Sequence, residues 1–527
     1  MLPVTDEAVA ARQGEPAAVP SWRPHPPGHP VRVGALALVS AAVYALLGLV
    51  KVATFRATTF DLVIIDQAVR NYAALRPPYV PVRGMFSDRG MDYLQLSDHF
   101  SPIYAVLSPF YWIHDGPETL IVAQAALFAA AIPFLWRYTR RVLGVAPAYL
   151  VSVAYALSWP VAQAVAFDVH EVMFVPLLTA IMIERYHAGR MAPALLATLG
   201  LLLVKEDMGL MVAGAGLCLV VMGDRWRGAF CVLLGLGAVL VVRGLTVSVL
   251  GGDASDYWAY GHLGADLPGA VLGILGDPLS TLKLLVSEEA KVDTLLLLGW
   301  PTLMVCLLSP LSLIALPHVL VRLLSDRPQW WQADFHYSAF TVVILFCAGV
   351  DGLARLLRRV RSSHGAGDLE AGASARDHET HDHETHDHET RGDGARVHGH
   401  ASLKLAWAAA ACAVALTLVP KFQLDQFYHP AFYDEPKAAA AAAAVSQVPS
   451  GVTVEAVNST GPALTSRTTV LLWTAKSHGA PWVVADTSRW EFPFASADDQ
   501  RAAVDRLLAG GYTQVFERDG YVVLRRN

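Results

Sequence analysis

Ionisable side chains recur in this chain where apolar neighbours give no reason to carry them. Asp61 and Asp66 fall in TTFDLVIIDQAV, Asp98 and His99 in QLSDHFSP, and Asp168, His170 and Glu171 in FDVHEV. Lys205, Glu206 and Asp207 interrupt LLLVKEDMGL, and His336 and Tyr337 follow Asp334 in WWQADFHYSAF. Carboxylates and imidazoles in such company suit proton transfer, in which a carboxylate takes the proton of an attacking hydroxyl. A carboxylate set could equally hold a divalent cation through oxygen ligands. Lys205, Arg56 and Arg243 add positive charge able to neutralise a phosphate. Arg243 lies inside AVLVVRGLTVSVL, where the competing reading is a side chain that snorkels to the membrane interface.

Such groups are only useful if the surrounding elements position them. The 527 residues are 54% hydrophobic and 16% charged, with a mean hydropathy of +0.39. That is too apolar for a soluble chain of this length and fits an all-α polytopic membrane protein. Apolar runs of about 20 residues cross a bilayer. They predict about eleven transmembrane helices, near 33–55, 118–137, 145–166, 172–187, 191–205, 208–222, 228–249, 292–309, 310–324, 337–354 and 403–420. SPIYAVLSPFYWI (101–113) predicts a further interfacial or re-entrant helix.

Orientation follows from the basic loops. Arg137, Arg140 and Arg141, then Arg185 and Arg190, Arg225 and Arg227, and Arg355, Arg358, Arg359 and Arg361 all fall on one side of these spans. That side is expected to be cytoplasmic and to hold the N-terminus. The acid and histidine clusters then share the opposite, extracytoplasmic face. Residues 56–100 break the rule: they carry Arg56, Arg70, Arg76, Arg83 and Arg89 on that opposite face. Either the topology differs there or these arginines have another task.

Each cluster also has an ordinary explanation. Asp168 and Glu171 have the spacing of a capping pair, Ser101-Pro102 is a common helix start, and Lys205-Glu206-Asp207 could be a hydrated turn. Ionisable groups gathered at one membrane edge, with histidines in three of the clusters, nevertheless point to a shared site.

The rest of the chain bounds the function. No basic stripe interleaved with aromatics occurs, so a nucleic-acid partner is not expected. The five cysteines all lie in apolar runs, which supports neither a disulfide framework nor a zinc site. Residues 1–32 are polar and proline-rich and read as a disordered cytoplasmic tail, followed by a transmembrane core at 33–360. Residues 361–402 form a His/Asp-rich low-complexity loop repeating DHET, and 403–420 is the last span. Residues 421–527 change character to a small soluble α/β domain. Its strands are expected in VTVEAV, TVLLW and WVVAD, its helix is capped by Ser496, and Asp519-Gly520 makes a hairpin turn.

FDLVIIDQAV (60–69), LSDHFSPIYAVLSPFYWI (96–113), FDVHEV (167–172), LLLVKEDMGL (201–210) and DFHYSAF (334–340), with the soluble tail, resemble the predicted membrane proteins grouped as domain of unknown function 2079. The resemblance covers most of the chain from about residue 35, the DHET insert excepted. Val63 and Arg70 stand where a glycine and an aromatic are expected. That family is similar to the C-type (GT-C) integral-membrane glycosyltransferases. The resemblance implies a GT-C-like core, a polyprenyl-phosphate sugar as donor, and an essential acid shortly after the first span. By position that acid is Asp61. A divalent cation is optional in the wider group.

The expected function is therefore sugar transfer from a lipid-linked donor to an extracytoplasmic acceptor, in the cell envelope, by a multi-pass plasma-membrane protein. Asp61, Asp66, Asp98, His99, Asp168, His170 and Glu171 form the candidate catalytic set. Lys205, Arg243 and Arg56 would bind phosphate, with Glu206, Asp207, His336 and Tyr337 beside them. Two other classes stay open: a transporter using the acids and histidines as an ion or proton relay, and a non-catalytic assembly protein working through its tail. A transporter of this kind predicts midplane charges and repeat-related broken helices, and the sequence displays neither.

Overall fold

The computed structural model describes residues 28–253, 258–375 and 389–527, with side chains throughout except at 362–375 and 389–399. Most of the expected N-terminal tail and most of the DHET insert lie outside the described residues. The architecture is mostly helical, with several apolar helices and a mixed sheet near the C-terminus.

Among the described residues five helices are long and apolar enough to cross a bilayer: His29–Ala53, Pro117–Leu143, Val145–Ala166, Arg225–Ser248 and His400–Lys421. Met191–Leu201, Met208–Val221 and Ser312–Leu324 coincide with expected spans but are shorter. So is Val175–His187, while the expected 337–354 span opens as a 3₁₀ turn at His336–Phe340 and is helical only from Val342. The apolar run at 292–309, expected as one continuous span, is broken. The helix Glu289–Gly299 stops before Pro301, which has no amide proton to continue the hydrogen-bond ladder. Leu303 and Met304 then adopt left-handed backbone (φ 54° and 60°), and a 3₁₀ turn follows at Val305–Leu308.

Several helices escaped the sequence reading, among them two that follow Arg225–Ser248. Leu267–Gly276 and Pro278–Leu284 each begin with an aspartate cap: Asp266 accepts from the Gly269 amide at 2.8 Å and Asp277 from the Ser280 amide at 3.0 Å. The segment 101–113 is two short pieces, a 3₁₀ turn at Pro102–Leu107 and a helical turn at Ser108–Tyr111.

Small residues let two of these helices approach closely. A Cβ on Gly209 would lie 2.3 Å from the Gly235 carbonyl oxygen, and one on Gly216 would lie 2.6 Å from that of Gly228. Met208–Val221 is thereby pressed against Arg225–Ser248, which carries Arg243.

The C-terminal domain has the expected α/β character. Strands β1 (Thr453–Ala456), β2 (Thr469–Leu472), β3 (Trp482–Asp486), β4 (Tyr512–Arg518) and β5 (Tyr521–Arg526) lie in the order β2-β1-β3-β5-β4. β1 is parallel to β2 and β3, whereas β5 is antiparallel to β3 and β4. Ser496 caps the helix Ala497–Ala509 by accepting from the Asp499 amide at 3.1 Å. Asp519 and Gly520 take the positive φ that a two-residue hairpin requires.

This domain is fastened to the turn that follows the first helix. The Thr59 amide donates to the Asn458 carbonyl at 2.6 Å, and the Phe60 amide donates to Asn458 Oδ1 at 3.1 Å. The Gly461 amide donates to Thr59 Oγ1 at 3.1 Å. The approach demands glycine, because a Cβ there would sit 2.2 Å from Thr59 Oγ1.

Candidate functional site

The chain leaves the first helix through a π-helical turn, Thr59–Val63, which carries Asp61. Such turns are frequent at functional sites because the extra residue re-aims a side chain. Opposite it, Asp168 holds a left-handed backbone at φ 45°, a conformation that is costly for a residue with a Cβ. What holds it there is visible. Its carboxylate accepts from the Thr58 amide at 2.9 Å and the Thr58 hydroxyl at 2.6 Å, and pairs with Lys51 at 3.3 Å. Lys51 also donates to the Ala166 carbonyl. Asp168 therefore ties the end of the first helix to the FDVHEV turn.

That tie brings His170 to Asp61. His170 Nε2 lies 3.6 Å from Asp61 Oδ1, and His170 Nδ1 is 3.2 Å from the Phe167 carbonyl. Both ring nitrogens thus face acceptors, which favours the imidazolium. Burial opposes the charge, but Asp61, with Glu171 and Asp168 behind it, outweighs burial and raises the His170 pKa above the ordinary histidine value. His336 stacks on His170 with ring centroids 3.9 Å apart and planes 18° from parallel. Two cations cannot share that distance. Burial, together with the neighbouring His170, pushes the His336 pKa well below the usual range, so it is the neutral member. Tyr337 packs against His336 at 4.2 Å.

A second group adjoins the first. Glu171 pairs with Lys205 at 2.7 Å, and the Tyr104 hydroxyl donates to Glu171 at 3.4 Å. Burial would raise the Glu171 pKa, but Lys205, with His99 and His170, holds it below the usual carboxylate range. Burial likewise works against the Lys205 charge, and Glu171, Glu206 and Asp207 overcome it, so this lysine stays protonated. His99 Nδ1 lies 2.9 Å from Glu206 Oε1, whose other oxygen accepts from the Phe100 amide at 3.1 Å. Burial and Lys205 disfavour protonation of His99, yet Glu206 and Asp98 raise its pKa overall. Asp207 sits 3.8 Å from His318, and burial pushes its carboxyl up to about 6 against the pull of Lys205.

These groups form one end of a cavity of about 330 Å³. Lys205, Glu206, Asp207, Arg243, Arg322 and Tyr337 line its charged end, with Asp98 and His99. Leu210, Val239, Val247, Leu267, Val271 and Ile274 give it apolar walls. The two unexpected features of the fold supply part of this lining: the helix Leu267–Gly276 forms a wall, and the glycine-packed helix Arg225–Ser248 brings in Arg243, whose guanidinium lies 5.7 Å from the Trp258 ring. Asp61 and His170 are not lining residues. His170 adjoins the lining through the stacked His336, whose chain neighbour Tyr337 lines the cavity. A headgroup in the charged end and a hydrocarbon along the walls is the ligand such a space would take.

Other candidates are engaged elsewhere. Asp66 is fully buried, paired with Arg70 at 2.6 Å, and accepts from Tyr111 at 2.8 Å and Thr465 at 2.6 Å. It fastens the C-terminal domain. Arg56 pairs with Glu435 at 3.3 Å and donates to the Ala431 and Phe432 carbonyls, so its charge is spent on the chain entering that domain. Asp98 pairs with Arg83 at 3.0 Å at the edge of the cavity. The capping reading of Asp168 and Glu171 fails: the first holds Thr58 and the second Lys205, and no side chain caps Val175–His187. Four of the five arginines of 56–100 find their task in ion pairs: besides Arg56 and Arg83, Arg70 pairs with Asp66 and Asp115 and Arg89 with Asp253.

Lys51, Tyr104, His318 and Arg322 were missed in the sequence. Arg322 is buried and donates to the Trp330 carbonyl at 2.6 Å, the Tyr337 carbonyl at 3.1 Å and the Ser338 hydroxyl at 3.2 Å. The available signal was the same one that exposed Arg243, a polar residue inside an apolar run. Among the described residues no three His, Cys, Asp or Glu side chains converge closely enough to hold a metal ion, so a divalent cation finds no ready cage in this donor set.

Comparison with known proteins gives two matches of different kinds. A family model described as "Predicted membrane protein (DUF2079)" matches residues 51–366. Two crystal structures of ArnT from Cupriavidus metallidurans share the fold, one bound to undecaprenyl phosphate and one in the apo state. Each has a TM-score of 0.50 at 13% sequence identity over 94% of this chain, covering 97% and 98% of the respective ArnT chains. A search of the curated proteins finds no match.

Proposed function

Starting from the DUF2079 family of predicted membrane proteins, to which this chain belongs, we propose that it is a C-type integral-membrane glycosyltransferase using a polyprenyl-phosphate sugar. The observation that carries this reading is the cavity with apolar walls and a lysine–arginine end, lying beside the Asp61–His170 pair. The undecaprenyl phosphate bound to ArnT, whose fold this chain shares, is a ligand of that chemistry.

In the proposed reaction the Asp61 carboxylate takes the proton of an acceptor hydroxyl as its oxygen bonds to the anomeric carbon of the donor. The bond from that carbon to the phosphate oxygen breaks, and the electron pair leaves on the phosphate. Lys205 and Arg243 stabilise the charge that develops there. His170 orients Asp61. Glu171 holds Lys205 in place, and Arg322 positions the segment around Tyr337 through hydrogen bonds to the Tyr337 carbonyl and the Ser338 hydroxyl. The reaction end of the bundle is the extracytoplasmic one, and the β-sheet domain lies on the same side.

The test is sugar transfer by the purified full chain from a polyprenyl-phosphate donor. Asp61→Asn should lose roughly 10²–10⁴-fold in rate, the range of a lost general base, while still binding undecaprenyl phosphate. Full activity in that variant removes Asp61 from the role.

A further inference from the structure

Beside Asp61, and outside the cavity lining, three phenylalanines meet. Phe60 and Phe86 pack edge to face with centroids 4.7 Å apart, and Phe492 of the C-terminal domain closes the group at 5.3 Å from Phe60 and 5.9 Å from Phe86. The contact is partly open: Phe60 and Phe86 are half-buried, Phe492 is 40% exposed and the nearby Trp490 is 56% exposed. The backbone beneath is rigidly held. Asn458 fixes the Phe60 amide, and Glu491, next to Phe492, accepts from the Ser459 amide and hydroxyl at 2.8 and 2.7 Å.

Polar groups ring these aromatic faces. Asp61 follows Phe60 in the chain. The Arg83 guanidinium lies 6.0 Å from the Phe60 ring and pairs with Asp98 on the cavity wall. Arg489 pairs with Glu491 at 3.1 Å. An open aromatic surface with few polar groups around it recognises a ligand that has an apolar face and a polar edge. A pyranose is such a molecule: its axial C–H bonds form an apolar face that meets the negative face of an aromatic ring, and its hydroxyls project at the edge.

We propose that Phe60, Phe86 and Phe492 form the subsite for a pyranose ring of the acceptor, stacked so that a hydroxyl at its edge reaches Asp61. This rests on the glycosyltransferase reading above and adds to it the acceptor class, a carbohydrate rather than a protein or a lipid hydroxyl. It also gives the C-terminal domain a direct part in the site through Phe492.

The experiment is saturation-transfer NMR on the full chain in detergent, with methyl β-glucopyranoside and N-acetylglucosamine as probes and undecaprenyl phosphate binding measured in parallel. The wild type should transfer saturation chiefly to the protons of one pyranose face. Phe492→Leu, which keeps apolar bulk but removes the aromatic face, should weaken the sugar roughly tenfold, whereas Phe492→Trp should retain it. Undecaprenyl phosphate should bind all three proteins equally. Absence of a sugar signal in a wild type that binds undecaprenyl phosphate overturns the subsite and leaves the donor reading standing. A sugar signal lost in Lys205→Ala and kept in Phe492→Leu also overturns it, since the ring would then occupy the cavity. Sugar binding that depends on Phe492 in a protein without affinity for undecaprenyl phosphate supports the subsite and overturns the donor reading.

Discussion

The Lys205–Glu171 pair allows a test in which two neighbouring substitutions move binding in opposite directions. The charges are 2.7 Å apart, with the side chains only 13% and 5% exposed. At an effective dielectric of about 20 their attraction is about 6 kcal/mol, most of which repays desolvation. Lys205 faces Glu206 and Asp207 as well, so its charge is contested before any phosphate arrives. If Lys205 makes a charge-assisted hydrogen bond to a lipid phosphate, Lys205→Ala removes about 1.5–3 kcal/mol of binding, or roughly 10- to 150-fold in Kd. Glu171→Gln keeps the side-chain shape and removes a competing anion, so it should tighten the same ligand several-fold. Titration of undecaprenyl phosphate against the wild type, both single variants and the double variant gives the coupling energy. Near-equal losses in both single variants, no worse in the double, would refute the reasoning: the pair would then act as one structural unit and the phosphate contact would lie elsewhere.

Two further expectations follow from the same geometry. The unfolded Asp207 carboxyl titrates near its ordinary 3.8 and the folded one near about 6, so the folded state binds more protons between those values and stability falls as pH rises through that window. Asp207→Asn should therefore raise the thermal midpoint at pH 7.5 and leave it nearly unchanged below pH 4, a difference that thermal scans in detergent at the two pH values will read. Asp66→Ala removes the buried acceptor of the Thr465 and Tyr111 hydroxyls, while the half-buried Arg70 keeps Asp115, a loss worth about 1–3 kcal/mol; limited proteolysis should then release the C-terminal domain faster than from the wild type, and equal rates would deny Asp66 its fastening role.

How much of this could be read beforehand depends on the distance along the chain between partners. The strands, the Ser496 cap and the Asp519-Gly520 hairpin rest on local patterns and were visible. So was the association of FDVHEV with FDLVIIDQAV, because ionisable residues at a membrane edge are conspicuous in an apolar sequence. Asp66 and Arg56 were equally conspicuous, yet their partners Thr465 and Glu435 lie 399 and 379 residues away, and no local pattern marks such pairs. Asp168 looked like a cap because capping is a local rule; its actual partners, Thr58 and Lys51, sit 110 and 117 residues upstream. The cavity was hidden for another reason. Its walls come from Leu267–Gly276 and from a helix held close by glycine pairs, and hydropathy measures neither close packing nor the break at Leu303–Met304.

Thr59 leaves the ribosome 399 residues ahead of Asn458, whose carbonyl it needs. Through all of that interval the turn bearing Asp61 lacks the hydrogen bonds that seat it, and Asp66 lacks Thr465. The helical bundle can insert and meet lipid during this time, but its acids are not yet aligned. Seating of the Asp61 turn is thus timed by translation itself, and is complete only when the final domain has been made and docks.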